Sequence, residues 1–154
     1  SDLRRQRQMC IRDSVNGGYE MLRAIKKMAR KTNKKLKILG VTVLTSFSNS
    51  SIRKIGYEKT IFELVKKQAS LAKSAGLDGI VCSGLEAKIV KKLCKKMEIF
   101  TPGVRLIGDD KGDQKRVVTP KQAFKNGATS LVIGRSIING NIKKNIQKLI
   151  KDLK

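Results

Sequence analysis

From Gly17 to the C-terminus the chain alternates short apolar, β-branched runs with segments of helical period, joined by turn-rich links. This alternation limits the fold more than any other feature of the sequence. It is the order that builds a parallel sheet, because parallel strands need a crossover long enough to hold a helix. Met21, Leu22, Ile25 and Ala29 give a first helix one apolar face. Residues 37–44, with Ile38, Val41, Thr42 and Val43, predict a strand buried on both sides. Ile61, Leu64, Val65, Ala69 and Ala72 mark a helix over 58–75, with Gly76 placed to end it. Residues 78–82 predict the next strand. Ser83 and Glu86 then have capping-box spacing and open a helix that buries Ile89, Val90, Leu93 and Met97. A third strand over 99–101 runs into Pro102-Gly103, and a polar loop spans 108–116. Thr119-Pro120 reads as an N-cap and first-turn proline for a helix through Phe124, stopping near Gly127. The fourth strand, 130–133, leads into Gly134, Arg135 and a last helix with Ile142, Ile146, Leu149, Ile150 and Leu153 on one side.

Each strand-helix step takes the ~30 residues of a βαβ unit. The order therefore predicts half of an eightfold barrel, or a smaller open α/β fold, since a complete (β/α)8 barrel needs ~250 residues and the chain has 154. Residues 1–13 have no period of either kind. Arg4, Arg5, Arg7 and Arg12 sit among Gln6, Gln8 and Asp13, and the segment is expected to be an extension outside the domain, disordered or artefactual, leaving one domain over 14–154.

Composition removes several chemistries. The chain has no histidine, and its cysteines, Cys10, Cys82 and Cys94, lack CxxC spacing. This argues against a zinc site and excludes a Ser-His or Cys-His nucleophile and a histidine general base. Without a membrane-length apolar run or a signal-like N-terminus, the expected location is cytoplasmic, away from the membrane. The formal charge of +23 raises the question of a basic nucleic-acid-binding domain. Its lysines are spread over nearly every helix, however, and the chain has four Phe, two Tyr and no Trp to stack on bases. Nucleic acid is not the expected partner.

Anion-binding groups gather where a barrel places function, on the loops after the strands. Arg105 follows the third predicted strand, Gln114 and Arg116 lie in the polar loop, and Arg135 follows the fourth strand after Gly134. A guanidinium gives two parallel hydrogen bonds to a phosphate, and a glycine lets the backbone come close. Taken singly, Arg105 and Arg135 also fit solvated or ion-paired surface arginines, Thr45 fits a helix-cap or turn hydroxyl, and Gln114 fits a solvated loop amide.

Val41-Thr42-Val43-Leu44-Thr45-Ser46, then Gly76 to Ser83 with Glu86, Thr101-Pro102-Gly103-Val104-Arg105, Gly112-Asp113-Gln114-Lys115-Arg116 with Thr119-Pro120, and Ile133-Gly134-Arg135 occur in one order. Together they resemble the orotidine 5'-phosphate decarboxylase family, from about Val15 onward. The resemblance implies strands five to eight, with their helices, of a (β/α)8 TIM barrel. The activity it implies is conversion of orotidine 5'-phosphate to uridine 5'-phosphate without metal or organic cofactor, in a homodimer when full length. It assigns pyrimidine contact to Thr45 and phosphate binding to Arg105, Gln114, Gly134 and Arg135. The family's catalytic lysine-aspartate cluster has no counterpart here. Asp109 and Lys111 have a DxK spacing but lie in the polar loop, so the chain alone is expected to be inactive. Hexulose-phosphate synthase and ketogulonate-phosphate decarboxylase, relatives on the same barrel, are the enzymatic alternative. They need metal-binding carboxylates, and no suitable pair is evident.

Overall fold

The computed structural model describes residues 10–110 and 112–153. It holds a single parallel sheet of five strands in sequence order: β1 Cys10–Ser14, β2 Lys37–Val41, β3 Gly79–Val81, β4 Glu98–Thr101 and β5 Ser130–Leu131. The helices are α1 Gly18–Thr32, α2 Asn49–Lys54, α3 Ile61–Ser74, α4 Ala87–Leu93, α5 Pro120–Lys125, α6 Arg135–Ile138 and α7 Ile142–Leu153.

The four expected strands are β2 to β5; β2, β3 and β5 are shorter than the runs that predict them, and β4 starts one residue earlier, at Glu98. Backbone pairing stops where the chain turns out at the carboxyl end of the sheet: β2 ends at Val41 and β5 at Leu131. β1 corrects the reading of the N-terminal segment. Residues 10–14 run parallel to β2, Cys10 opposite Lys37 and Ser14 opposite Val41, in place of an irregular extension through residue 13. No apolar alternation advertises this strand; its pairing comes from the exposed edge of β2. Residues 1–9 lie outside the described residues.

The main core lies between the sheet and the helices α1, α3 and α4. Leu22, Ile38, Val65, Ala69, Ile80, Val90 and Ile99 are its buried centre. Thr60 caps α3, its hydroxyl accepting from the Glu63 amide while the Glu63 side chain accepts from the Thr60 amide. Lys26 of α1 forms an ion pair with Asp78, whose carboxylate also accepts from the Ile38 amide at 2.7 Å. That bond pins α1 to the amino ends of β2 and β3. A smaller cluster, Val104, Val118, Ala123 and Ala128, holds the last strand-helix unit. On α7 the expected apolar stripe is present but uncovered among the described residues: Ile142, Ile146, Ile150 and Leu153 are all exposed.

Gly40 shows how tightly β2 packs. A Cβ there would meet Val15 Cγ2 at 2.8 Å, Leu77 Cδ2 at 3.0 Å and Ala72 Cβ at 3.2 Å. Gly40→Ala is accordingly expected to lower unfolding free energy by about 1–3 kcal/mol through overpacking, read from the shift in urea midpoint at unchanged slope.

Candidate anion site at the carboxyl end of the sheet

The residues singled out from the sequence lie at one end of the sheet. Thr45 stands beyond the end of β2, Arg105 beyond β4, and Gly134 with Arg135 beyond β5. Gly134 is the N-cap of α6 and Arg135 its first residue, a short helix that the apolar pattern did not predict. The loop carrying Gln114 leaves and rejoins the fold through a closed neck. Val104 bridges Val118, the Arg105 amide donates to the Val118 carbonyl at 3.1 Å, and the Val118 amide donates to the Gly103 carbonyl at 3.3 Å.

Beyond the neck the loop docks on Thr45. The amides of Lys115 and Arg116 both donate to its carbonyl at 3.2 Å, and the Thr45 hydroxyl donates to Gln114 Oε1. Gly103 makes this approach possible. Its φ is +71°, and a Cβ there would lie 2.9 Å from the Arg116 carbonyl oxygen and 3.1 Å from Thr45 Cγ2.

Arg105 and Arg135 line the same cavity, about 200 Å³, with Asp109, Asp110, Gly112 and Ser136 among its other walls. Arg105 is buried, its Nε donating to the Asp110 carbonyl at 3.2 Å and a terminal nitrogen to the Val104 carbonyl at 3.0 Å. Arg135 is half exposed and forms an ion pair with Asp113 Oδ1. The other oxygen of Asp113 accepts from Gln114 Nε2 at 3.0 Å. The hydrogen bond from Arg135 holds the Asp113 carboxyl below the usual carboxylate range, so it is ionised at neutral pH. Thr45, Gln114, Asp113 and Arg135 thus form one hydrogen-bonded chain that ends on the cavity shared with Arg105.

Arg116 has a different task from the donors beside it in sequence. It is buried; one terminal nitrogen donates to Glu86 Oε1 at 2.7 Å and the other to the carbonyls of Val43 and Leu44 at 3.0 and 2.8 Å. Glu86 is therefore not the partner in a capping box. α4 starts at Ala87 with Glu86 itself as N-cap and no side-chain cap bond, so Ser83 is not its cap, and the Glu86 carboxylate enters this ion pair. Burial raises the Glu86 pKa, against the pull of Arg116. The sequence offered only a weak signal for the pair: an acidic residue among apolar ones just past a strand end. Burial also raises the thiol pKa values of Cys82 and Cys94, so neither is a ready thiolate. Among the described residues no cluster of acidic or cysteine side chains is arranged to hold a metal ion, and no helix is long and apolar enough to cross a membrane.

Residues 11–148 match the model of the orotidine 5'-phosphate decarboxylase / HUMPS family. The chain belongs to this family. The match begins upstream of the motif-bearing segment and takes in most of β1, so the family-like sequence does not start at Val15. A Coxiella burnetii protein named orotidine 5'-phosphate decarboxylase is 40% identical over 144 residues, 91% of this chain and 61% of that protein. One of the same name from Pseudoalteromonas translucida is 47% identical over 125 residues, 80% of this chain and 53% of that one. The chain thus spans between half and two thirds of the length of these relatives. The crystal structure of orotidine 5'-phosphate decarboxylase from Lactobacillus acidophilus superposes with a TM-score of 0.75 at 27% identity, over 94% of this chain and 63% of that one. The Methanocaldococcus jannaschii enzyme complexed with the inhibitor BMP shares the fold, with a TM-score of 0.68 at 19% identity, over 94% of this chain and 61% of that one. The five-stranded sheet is accordingly part of a (β/α)8 barrel, and the candidate site lies at the face where such barrels carry function.

Removing one member of the buried pair leaves the other charge without a partner. Glu86→Ala is expected to destabilise the fold by about 3–5 kcal/mol. Glu86→Gln should cost distinctly less, because it keeps an acceptor for Arg116 and the desolvated site already disfavours the charge. Denaturant titration of the two variants beside the parent measures the difference.

Proposed function

We propose that this chain supplies the phosphate- and pyrimidine-binding part of an orotidine 5'-phosphate decarboxylase, an enzyme of pyrimidine nucleotide synthesis that releases CO2 to leave uridine 5'-phosphate. The observation that carries the proposal is the convergence of Arg105 and Arg135 on one cavity, under a loop whose Gln114 is bonded to Thr45. Family membership and the relatives' names supply the substrate.

On this reading Arg105 and Arg135 neutralise the 5'-phosphate, with the Gln114 amide and the backbone at Gly134 completing its hydrogen bonds. Thr45 stands where the loop meets the sheet and contacts the pyrimidine. Within the loop over 108–116, the stretch ahead of Lys115 closes on the bound nucleotide, while Lys115 and Arg116 stay docked on Thr45. The phosphate is remote from the carbon that loses CO2, so its binding energy is available to hold the reacting state in a desolvated site. The proton that replaces the carboxylate comes from a lysine-aspartate cluster outside this chain. The full-length enzyme is a cytoplasmic homodimer on this reading and uses neither metal nor organic cofactor.

In a full-length enzyme carrying this half, Arg135→Ala is expected to lower kcat/KM for orotidine 5'-phosphate by about two orders of magnitude, the ~3 kcal/mol of a charge-assisted bidentate contact. Steady-state kinetics decide it, and an unchanged kcat/KM removes Arg135 from the phosphate site. The 154-residue chain by itself is expected to show no turnover. Decarboxylation above background in the purified chain would contradict the absence of the proton donor.

A further inference from the structure

The Asp113 carboxylate presents its two oxygens to two of the groups assigned to the ligand phosphate. Oδ1 takes the Arg135 guanidinium, and Oδ2 accepts from the Gln114 amide at 3.0 Å. It does so from an exposed loop position, where an aspartate has no need of a protein partner. The two carboxylates that line the cavity are used differently. Asp109 accepts from the Leu106 amide at 3.3 Å and Asp110 from the Gly112 amide at 3.0 Å, both within the loop's own turns. Asp113 instead bonds Arg135 and Gln114, two of the candidate anion-binding side chains.

We propose that Asp113 is a resident anion of the empty site: its carboxylate occupies Arg135 and Gln114 until a phosphate displaces it, so that it sets the affinity and the anion selectivity of the pocket. The proposal rests on the phosphate-site reading above. Arg135 is held by this bond, and Gln114 lies between Thr45 and Asp113. A carboxylate and a phosphate compete for the same fork of donors, and the phosphate carries the greater charge. A ligand whose anion is a single carboxylate gains little by replacing one carboxylate with another. A phosphate dianion gains the charge difference, and on displacement the loop is freed to close over it. Asp113 therefore acts as a specificity-determining residue, raising the threshold that an incoming anion must pass.

The test is calorimetric titration of the purified chain and its variants with inorganic phosphate, uridine 5'-phosphate and acetate. Asp113→Asn removes the competing charge at an exposed site and leaves no cavity; circular dichroism checks that the fold is kept. It is expected to bind phosphate and uridine 5'-phosphate roughly two- to fivefold more tightly than the parent, the span of a partly exposed ion pair, and to admit acetate that the parent rejects. Asp109→Asn removes the same charge from the cavity wall without freeing Arg135, and should change these affinities less. Equal tightening in Asp109→Asn and Asp113→Asn would reduce the effect to net charge and overturn the proposal, as would unchanged affinity in Asp113→Asn. Arg135→Ala separates this from the reading beneath it. If Arg135→Ala binds phosphate as well as the parent, or if neither the parent nor Asp113→Asn binds it, the phosphate site itself is wrong. If Arg135→Ala loses binding while Asp113→Asn matches the parent, the site stands and the resident-anion role fails.

Discussion

The guanidinium of Arg116, buried against Glu86 and the carbonyls of Val43 and Leu44, is the interaction on which the rest of the site depends. It joins the returning end of the polar loop to the segment after β2 and to the start of α4. A charge taken out of water in this way is tolerated only when most of its donors are satisfied. The arrangement is consequently demanding: the backbone must place Val43, Leu44 and Glu86 around one fork. Once it is made, Lys115 and Arg116 are positioned to donate their amides to Thr45, and the loop's free part is confined to the stretch before them. A buried pair of this kind is weak evidence for stability, but it fixes one geometry against its alternatives.

That division separates a fixed layer from an adjustable one. Beneath, Thr45, Gly103, Arg116 and Glu86 are buried and define where the loop attaches. Above, Asp113, Arg135 and the glycines Gly108 and Gly112 are exposed. The bonds in the upper layer are ones that solvent competes with, so rearranging them costs little. Binding groups that must exchange partners belong in such a layer. The groups that must hold their position whether or not a ligand is present belong in the one below.

Legibility from the sequence followed the same division. β2 to β5, α3 with its Thr60 cap and α5 with its Thr119-Pro120 start were readable, because apolar period and capping chemistry are local signals. β1 was not readable: its residues lack alternation, and its strand character comes from pairing with β2, a partner more than twenty residues away. Ser83 was misassigned as a helix cap because Ser83-Glu86 spacing satisfies a local rule, whereas α4 starts later with Glu86 as N-cap, and the Glu86 carboxylate pairs with Arg116, thirty residues on. The positions of Arg105, Gln114 and Arg135 at one end of the sheet followed from strand order, while Thr45 was marked only by the family resemblance. Which carboxylate faces which cation did not, since several acidic residues crowd the loop and only three-dimensional packing selects Asp113 for Arg135.

A barrel half that binds a remote phosphate is a different physical object from one that moves a proton. Proton transfer requires lysines and aspartates held close together, each raising the electrostatic cost of the others. Phosphate binding requires cations with partners that can be exchanged, and on the proposed reading those partners are the Asp110 carbonyl for Arg105 and the Asp113 carboxylate for Arg135. The two demands conflict if they are met by one set of residues, because a carboxylate able to tune a catalytic lysine also competes for a guanidinium. Placing them on separate strands removes the conflict. On the proposed reading the phosphate end keeps its balance of arginine and aspartate apart from the reacting end, and the ligand that spans them couples the two.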